Sequence, residues 1–203
     1  MANSKQAKTG LTREIAEFKE RRIVEEAVTL FYSKGYENTT LDMLAAQLEV
    51  TKPFIYSYFK SKNELLFHVC YTGIKLSQEA LNHSLAMDGT ATDKLKRITE
   101  QVASIILEYQ QYIVVYVREE KNLHPEDSRR IREQRSLFDH RLAALLEEGS
   151  RTGEFAVSNP LMTATTIGGT LSWMAFWFNP GGSITKSEIL LNTNALIAKM
   201  WMP

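Results

Sequence analysis

The sequence predicts an all-α protein, and three observations support this fold class. Apolar residues recur at intervals of three and four along most of the chain, the spacing that places them on one face of an α-helix. Residues typical of helix ends, such as Gly35, Thr40 and Asn159, border these apolar segments. The 203 residues are 44% hydrophobic, a length and composition that allow one large or two small packed cores.

Composition limits the function classes that are open. No apolar run approaches the roughly 20 residues that a membrane span needs, and the polar start MANSKQAKTG lacks the hydrophobic stretch of a signal peptide. The single cysteine, Cys70, lies in an apolar helical run and is predicted to be a buried thiol. A cytoplasmic protein without membrane association is therefore expected. The formal net charge is zero, but residues 1–24 carry six lysines and arginines against three glutamates, which is compatible with phosphate contact.

Residues 40–62, TLDMLAAQLEVTKPFIYSYFKSK, are predicted to form two short helices joined by a tight turn. Thr40 is the expected N-cap of the first helix. The buried side of this helix is marked by Leu41, Leu44, Ala45 and Leu48. The second helix opens near Thr51, and Pro53 suits its first turn, where N–H groups lack helical partners. A short helix that carries cations and aromatic hydroxyls, held by a small apolar seam, has the properties needed for insertion into a major groove.

The same stretch resembles the helix-turn-helix of the TetR family of bacterial transcriptional regulators. The matching positions, all in one register, are Thr40, Leu44, Ala45, Val50, Thr51, Lys52, Ile55, Tyr56, Tyr58, Phe59, Lys62 and Leu65. The family often has glycine where this chain has Glu49 in the turn, and many members have glycine in place of Pro53. Glu49 is strained if its φ is positive. Both departures bear on the target sequence more than on the fold.

This resemblance implies a division into two domains. Residues 1–62 are expected to form a three-helix, helix-turn-helix DNA-binding domain, and residues 63–203 a larger helical domain for ligand binding and dimerisation. A helix that begins near Lys62 connects the two. A dimer is expected to bind a palindromic operator in double-stranded DNA, with half-sites spaced by whole helical turns.

Eight residues are the candidate DNA contacts. Those expected to bond phosphates are Tyr56, Tyr58, Lys60, Lys62 and, by analogy with the family, Thr40 at a helix N-terminus. Those at the head of the recognition helix, where base edges are within reach, are Thr51, Lys52 and Pro53. For Tyr56 and Tyr58, a packing role is the alternative.

The rest of the chain is predicted to be helical. The expected helices cover about 12–34, 62–83, 93–118, 125–151, 160–178 and 186–200, with Asp93 or Thr92 as the cap of the third. The helix after Asn159 is almost entirely apolar, so both of its sides must be covered. Its own domain is expected to cover one side of this helix, and a partner chain is expected to cover the other. This helix and the last one are therefore predicted to form a four-helix homodimer interface.

Aromatic residues are numerous in the second half of the chain and suggest a cavity for an apolar effector. The candidate pocket residues are Tyr109, Tyr112, Tyr116, Phe138, Trp173, Phe176 and Trp177, for each of which ordinary packing is the alternative. The segment WMAFWFNPGGSITKSEI, residues 173–189, resembles the ending of TetR-type regulators of fatty-acid, steroid and aromatic-acid breakdown, several of which sense acyl-CoA thioesters. If that resemblance holds, CoA phosphates are candidates for contact with Arg118, Arg129, Arg132 or Arg135, for which solvated surface roles are the alternative.

Motifs of catalysis are absent from the sequence. There is no phosphate-binding glycine loop and no G-x-S-x-G turn, and the four histidines, His68, His83, His124 and His140, lack metal-ligand spacing. No catalytic site, metal or cofactor is predicted, and the protein is not expected to be an enzyme. The leading hypothesis is a repressor released from its operator by an apolar or acyl-CoA-like effector. A helical protein-interaction module without specific DNA binding is the second, and an enzyme with a helical pocket the third.

Overall fold

A computed structural model describes the backbone of residues 2–202 and the side chains of residues 10–202. Within this range the chain forms nine α-helices and no strand, which confirms the all-α prediction. The helices are α1 (Ala2–Lys34), α2 (Leu41–Gln47), α3 (Lys52–Tyr56), α4 (Lys62–Ala86), α5 (Ala91–Glu108), α6 (Gln110–Glu119), α7 (Pro125–Thr152), α8 (Pro160–Trp177) and α9 (Lys186–Ala198). A short 3-10 helix, Glu120–Asn122, follows α6.

Side-chain caps begin most of these helices at the predicted places. The hydroxyls of Thr40 and Thr51 accept hydrogen bonds from the backbone of α2 and α3, and the Asn159 side chain accepts one from α8. Thr185 and Glu188 form a capping box at α9. These bonds connect residues three apart, so the local sequence is enough to place them.

Two predictions about helix bounds were wrong. The first helix begins at Ala2, ten residues before the expected start near Thr12. The predicted helix over 93–118 is two helices, capped at Thr90 and interrupted at Tyr109, whose backbone leaves helical geometry at φ −101° and ψ 30°. Beside the interruption, the Gln110 side chain donates to the carbonyls of Ala175 and Phe178 at the end of α8. This distant contact stabilises the break, and no local pattern indicates it.

The buried side chains form two clusters that meet at α4 and α6. The first lies under the helix-turn-helix and includes residues of α1, α2, α3 and α4, together with Tyr112, Val115 and Tyr116 of α6. The second is formed mainly by α5, α7, α8 and α9. The predicted thiol of Cys70 is buried in the first cluster. Because α6 contributes to both clusters, it is packed against the amino-terminal and the carboxyl-terminal parts of the molecule at once.

Helix α8 is buried on one side and open on the other. Its buried residues are Ala164, Ile167, Leu171, Met174 and Ala175. On the opposite side, Met162 and Trp173 are 65% and 63% exposed, and the exposed side chains of Leu191 and Leu196 continue this apolar surface on α9. No helix within residues 2–202, α8 included, combines the length and apolarity needed to cross a bilayer.

Glu154 joins the end of α7 to the start of α5. Its carboxylate accepts hydrogen bonds from the backbone N–H groups of Thr92 (2.9 Å) and Ala91 (3.3 Å), two of the N–H groups that lack partners inside α5. The hydroxyl of Thr152 donates a third bond. The backbone bond from Thr92 is the main cause that lowers the pKa of Glu154 from 4.5 to about 2.

We expect the charge of Glu154 to make a pH-dependent contribution to stability. A carboxyl whose pKa is lowered by folding stabilises the protein above its unfolded-state pKa, and this contribution is lost as the pH falls through the folded-state value. Glu154→Gln should therefore lower the urea midpoint most above pH 4.5, and the difference from wild type should shrink as the pH falls toward 2. Glu100→Gln, an exposed change on α5, is the control. A difference that is constant with pH would contradict this assignment.

Candidate nucleic-acid interface and internal cavity

Helices α2 and α3 are held at a fixed angle by their seam and by the turn between them. Leu44 and Ala45 of α2 and Ile55 of α3 are buried in the same apolar cluster. Glu49 in the turn has φ 55°, the left-handed conformation in which a side chain is strained. The Val50 N–H donates to the Ala45 carbonyl (2.9 Å), which closes the turn. The departure from glycine at position 49 therefore leaves the turn intact, although its conformation favours glycine.

The outer face of α3 presents three of the predicted DNA contacts. Pro53 is exposed and Tyr56 is 48% exposed. Lys52 is partly exposed, and its ammonium lies 2.7 Å from a carboxylate oxygen of Asp42 on α2. This hydrogen bond raises the pKa of Lys52, so the ammonium stays charged. The cation therefore lies at the surface of the helix, paired with the exposed carboxylate of Asp42.

The remaining predicted contacts differ in their exposure. Lys60 is exposed in the loop after α3, and Tyr58 is half-buried with its ring 5.3 Å from that of Phe54. Lys62 points inward: its ammonium donates to the carbonyls of Tyr36 (2.9 Å) and Thr39 (3.0 Å) and lies 4.2 Å from the centre of the Tyr36 ring. The structure thus gives Lys62 a role in holding the loop before α2.

Two residues near this surface were not among the predicted contacts. Lys19 on α1 is exposed and lies 5.8 Å from the centre of the Phe54 ring, which brings a further cation to the side of α3. Asp42 is the partner of Lys52. Neither position carries a local signal of its role, because each meets α3 only through the folded arrangement of the helices.

A small cavity that is partly open to solvent lies between α4, α5, α6, α7 and α8, with a volume of about 110 Å³. Its lining residues are Cys70, Gly73, Ile74, Ser77, Ile106, Tyr112, Ile113, Tyr116, Val117, Ile131, Arg135, Ser172 and Phe176. Three of the seven predicted pocket residues, Tyr112, Tyr116 and Phe176, are among them.

The other four predicted pocket residues lie elsewhere. Phe138 is buried in the second cluster, and Tyr109 packs on the Tyr112 ring at 5.5 Å, at the break between α5 and α6. Trp173 and Trp177 are exposed on the outer side of α8. The Trp173 ring stacks on the Phe176 ring, with centroids 5.1 Å apart, but neither Trp173 nor Trp177 lines the cavity. Arg135, which the sequence suggested only as a candidate contact for CoA phosphates, lines the cavity from α7. The sequence did not indicate Gly73 or Ser77, which line it from α4.

The cavity wall is almost entirely uncharged. Burial raises the pKa of Tyr112 to about 12 and also raises the pKa of the Cys70 thiol, so both groups are protonated at neutral pH. Burial likewise raises the pKa of Tyr116, against the opposing effect of Arg135. Arg135 is exposed and is the charged member of the lining. The cavity is therefore suited to an apolar group, with one cation at its edge.

A polar junction connects the carboxyl-terminal end of α6 to the helix-turn-helix. The carboxylate of Glu119, which is 9% exposed, accepts hydrogen bonds from the side chain of Asn122 (2.8 Å) and the backbone of Tyr36 (3.4 Å). Asn63 on α4 donates to the Asn122 carbonyl at 2.5 Å. The Arg118 guanidinium donates to the Tyr32 carbonyl (3.1 Å) on α1. The helix that carries Tyr112 and Tyr116 of the cavity thus also contacts the end of α1 and the start of α4.

Comparison with known proteins identifies the family. Residues 23–69 match the family model for bacterial regulatory proteins of the tetR family, and residues 88–201 match the Tetracyclin repressor-like, C-terminal domain. The chain belongs to the TetR family. It is a DNA-binding transcriptional regulator, as the resemblance at residues 40–65 predicted.

Within the described side chains, no group of three His, Cys, Asp or Glu residues is placed to hold a metal ion.

Individual relatives agree with this assignment. The TetR-family chain is 30% identical over 161 residues to YfiR of Bacillus subtilis (strain 168), an uncharacterized HTH-type transcriptional regulator, covering 75% of this chain and 76% of that protein. The crystal structure of PfmR from Thermus thermophilus has a TM-score of 0.79 and 29% identity, covering 88% of this chain and 97% of that one. AibR, in complex with isovaleryl coenzyme A and operator DNA, has a TM-score of 0.75 and 22% identity, covering 89% and 97%. At that identity, the likeness to AibR shows the fold alone.

We expect Lys62 to contribute to stability and Lys60 to contribute little. Lys62→Met keeps the apolar stem but removes the donor to the Thr39 carbonyl and one of the two donors to the Tyr36 carbonyl, which should cost about 1–3 kcal/mol in urea unfolding. Lys60→Met, at an exposed position, should stay within about 0.5 kcal/mol of wild type. Equal stability of the two variants would show that Lys62 does not stabilise the fold. Phosphate binding would then be its only predicted role.

Proposed function

We propose that this regulator is a homodimeric repressor that an apolar or acyl-CoA-like effector releases from operator DNA. Residues 1–62 form the DNA-binding domain and residues 63–203 the effector-binding and dimerisation domain in this proposal. The observation that carries it is the outer face of α3, where Lys52, Pro53 and Tyr56 lie exposed on a helix whose other side is buried. Operator binding places the protein in the cytoplasm, where bacterial DNA lies.

The exposed face of α3 has the chemistry of groove insertion. Thr51, Lys52 and Pro53 lie in its first turn, where a recognition helix meets base edges. Tyr56 and Lys60 follow toward the flanking phosphates, and the Thr40 cap at the start of α2 aligns backbone N–H groups with a phosphate. Tyr58 packs on Phe54 and Lys62 bonds to the loop, so these two support the surface from behind. Lys19 adds a cation beside α3.

The open surface of α8 and α9 supports a homodimer. Large apolar side chains exposed together are unusual on a monomer and typical of an interface. Here they include Met162, Trp173 and Trp177 on α8 and Leu191 and Leu196 on α9. Two copies packed through these helices would form the predicted four-helix interface and would present two α3 helices to one duplex.

Helix α6 is suited to couple the effector cavity to DNA binding. Tyr112 and Tyr116 line the cavity, and Glu119, one turn later, bonds to Tyr36 just beyond the end of α1. A ligand that displaces α6 must alter this buried junction, because Glu119 has to keep its hydrogen bonds. The displacement would move the start of α4 through Asn63 and Asn122. A changed separation of the two α3 helices no longer fits successive grooves, which is a population shift between two states.

Two observations support the proposed effector class: the uncharged lining of the cavity and the similarity to regulators that bind acyl-CoA thioesters. The uncharged wall around Tyr112, Ile113 and Ile131 suits an apolar group. The segment at residues 173–189 resembles regulators that sense acyl-CoA thioesters, and AibR, which shares the fold, binds isovaleryl coenzyme A. The family model named for a repressor-like domain supports repression rather than activation.

A salt-titrated binding assay on the DNA upstream of the protein's own gene tests operator binding. We expect Lys52→Ala to weaken specific binding about tenfold and to lower its salt dependence, because each protomer of the dimer loses a cation that faces the duplex. Asp42→Asn should strengthen binding, since it removes the carboxylate that now pairs with Lys52. Lys96→Ala, an exposed change on α5, is the matched control. A DNA affinity that is unaffected by salt concentration and by all three substitutions would favour a protein-interaction module instead.

Sedimentation equilibrium tests the dimer. Trp173→Glu places a charge in the proposed interface, so it should shift the protein to monomer and remove cooperative operator binding. Met87→Glu changes an exposed apolar side chain at the end of α4, outside α8 and α9, and should leave the dimer intact. A wild-type monomer, or a Trp173→Glu dimer with unchanged operator affinity, would contradict the proposed interface.

A further inference from the structure

Arg135 lines two spaces at once. It lies at the edge of the cavity and also in a polar groove between α7 and α8, which has a volume of about 370 Å³. The groove is lined by Arg132, Arg135, Ser136, Asp139, His140, Leu161 and Thr165. An uncharged cavity and a charged groove therefore adjoin at one guanidinium.

The two spaces follow one side of α8. Ser172 and Phe176 line the cavity, and Leu161 and Thr165 line the groove. Their spacing of four and seven residues places them on a single helical face. Gly168 lies between them on this face, and a Cβ at that position would be 3.5 Å from the Asp139 carboxylate, in ordinary contact. The cavity and the groove thus lie along the same boundary between α7 and α8, with Gly168 and Asp139 between them.

The charge of the groove favours an anion. Arg132 lies 3.6 Å from Glu120, whereas among the described side chains no carboxylate lies within ion-pair distance of Arg135. Burial raises the pKa of Asp139, the one acidic group in the groove lining, against the opposing effects of Arg135, Thr165 and His140. Of the other arginines considered from the sequence, Arg118 bonds to the Tyr32 carbonyl and Arg129 pairs with Glu133. Arg135 is therefore the cation placed to meet a ligand.

The cavity volume limits the apolar part of a ligand. Its 110 Å³ is less than the ~150 Å³ of an apolar cavity that admits benzene. Drug-sized ligands need about 300–1,000 Å³. The space therefore favours an apolar group of on the order of six carbons or fewer over a long acyl chain.

We propose that the effector is a short apolar group joined to an anionic head, with the apolar group in the cavity and the head on Arg135 and Arg132 in the groove. The inference rests on the proposed effector response and narrows its ligand class. A carboxylate and the phosphates of a CoA carrier share this chemistry, since both accept hydrogen bonds from guanidinium groups.

Calorimetric titration of the full-length protein with two series of probes tests the proposal. One series is butyrate, hexanoate and palmitate, and the other is butyryl-CoA, hexanoyl-CoA and palmitoyl-CoA, with hexanamide and free CoA as controls. We expect the four- and six-carbon members of at least one series to bind at least tenfold more tightly than the palmitate member and the controls. The series that binds identifies the source of the anion. Tighter binding of palmitate or palmitoyl-CoA, equal binding of hexanamide, or no binding at all would overturn the proposal.

Two variants test separately the role of Arg135 in binding the anionic head and the role of the cavity in binding the apolar group. Arg135→Gln should weaken binding of the anionic probes at least tenfold and leave the hexanamide signal unchanged, and Arg151→Gln, an exposed change on the same helix, should have no effect. Ser172→Leu fills the cavity and should weaken the six-carbon probe more than the four-carbon probe. Operator binding without ligand is measured for every variant as a check of folding. Retained operator binding with unchanged ligand affinity in Arg135→Gln would refute this anchor while leaving the repressor proposal in place.

Discussion

The buried polar junction at the end of α6 is the constraint on which the two halves of the molecule depend. Glu119 takes hydrogen bonds from Tyr36 and Asn122, and Asn63 bonds to the Asn122 carbonyl. A buried carboxylate is tolerated only while it keeps such partners. The position of α6 is therefore tied to the end of α1 and the start of α4. Since α6 also forms a wall of the cavity, direct contacts connect this wall to the loop before α2 and to the start of α4.

Helix α8 shows how one helix can serve three surfaces. Its residues Ile167, Leu171 and Met174 are buried against the body, and Ser172 and Phe176 line the cavity. The third face, with Met162 and Trp173, is exposed. An almost entirely apolar sequence is required because two of these faces contact protein and the third presents an apolar surface. Such a helix has no strong amphipathic pattern, so periodicity alone does not tell which face serves which purpose.

The sequence was sufficient where the interactions are local. The caps at Thr40, Thr51 and Asn159 join residues three apart, and the capping box at Thr185 does the same. Apolar spacing indicated the buried side of α2, and the register of residues 40–65 indicated the family. The all-α fold and the short recognition helix could be predicted for this reason, and so could the burial of Cys70.

The sequence by itself thus determined the helices, their caps and the family, because these depend on neighbours along the chain. Only the tertiary structure decided the break at Tyr109, the inward direction of Lys62, and which aromatic side chains face the cavity. Each of these depends on partners far away in sequence: Gln110 meets the end of α8, Lys62 bonds to the Tyr36 carbonyl, and the aromatic side chains of α6 and α8 line a cavity shared by several helices. Residue type sets what a side chain can bond, but packing of distant helices sets what it meets.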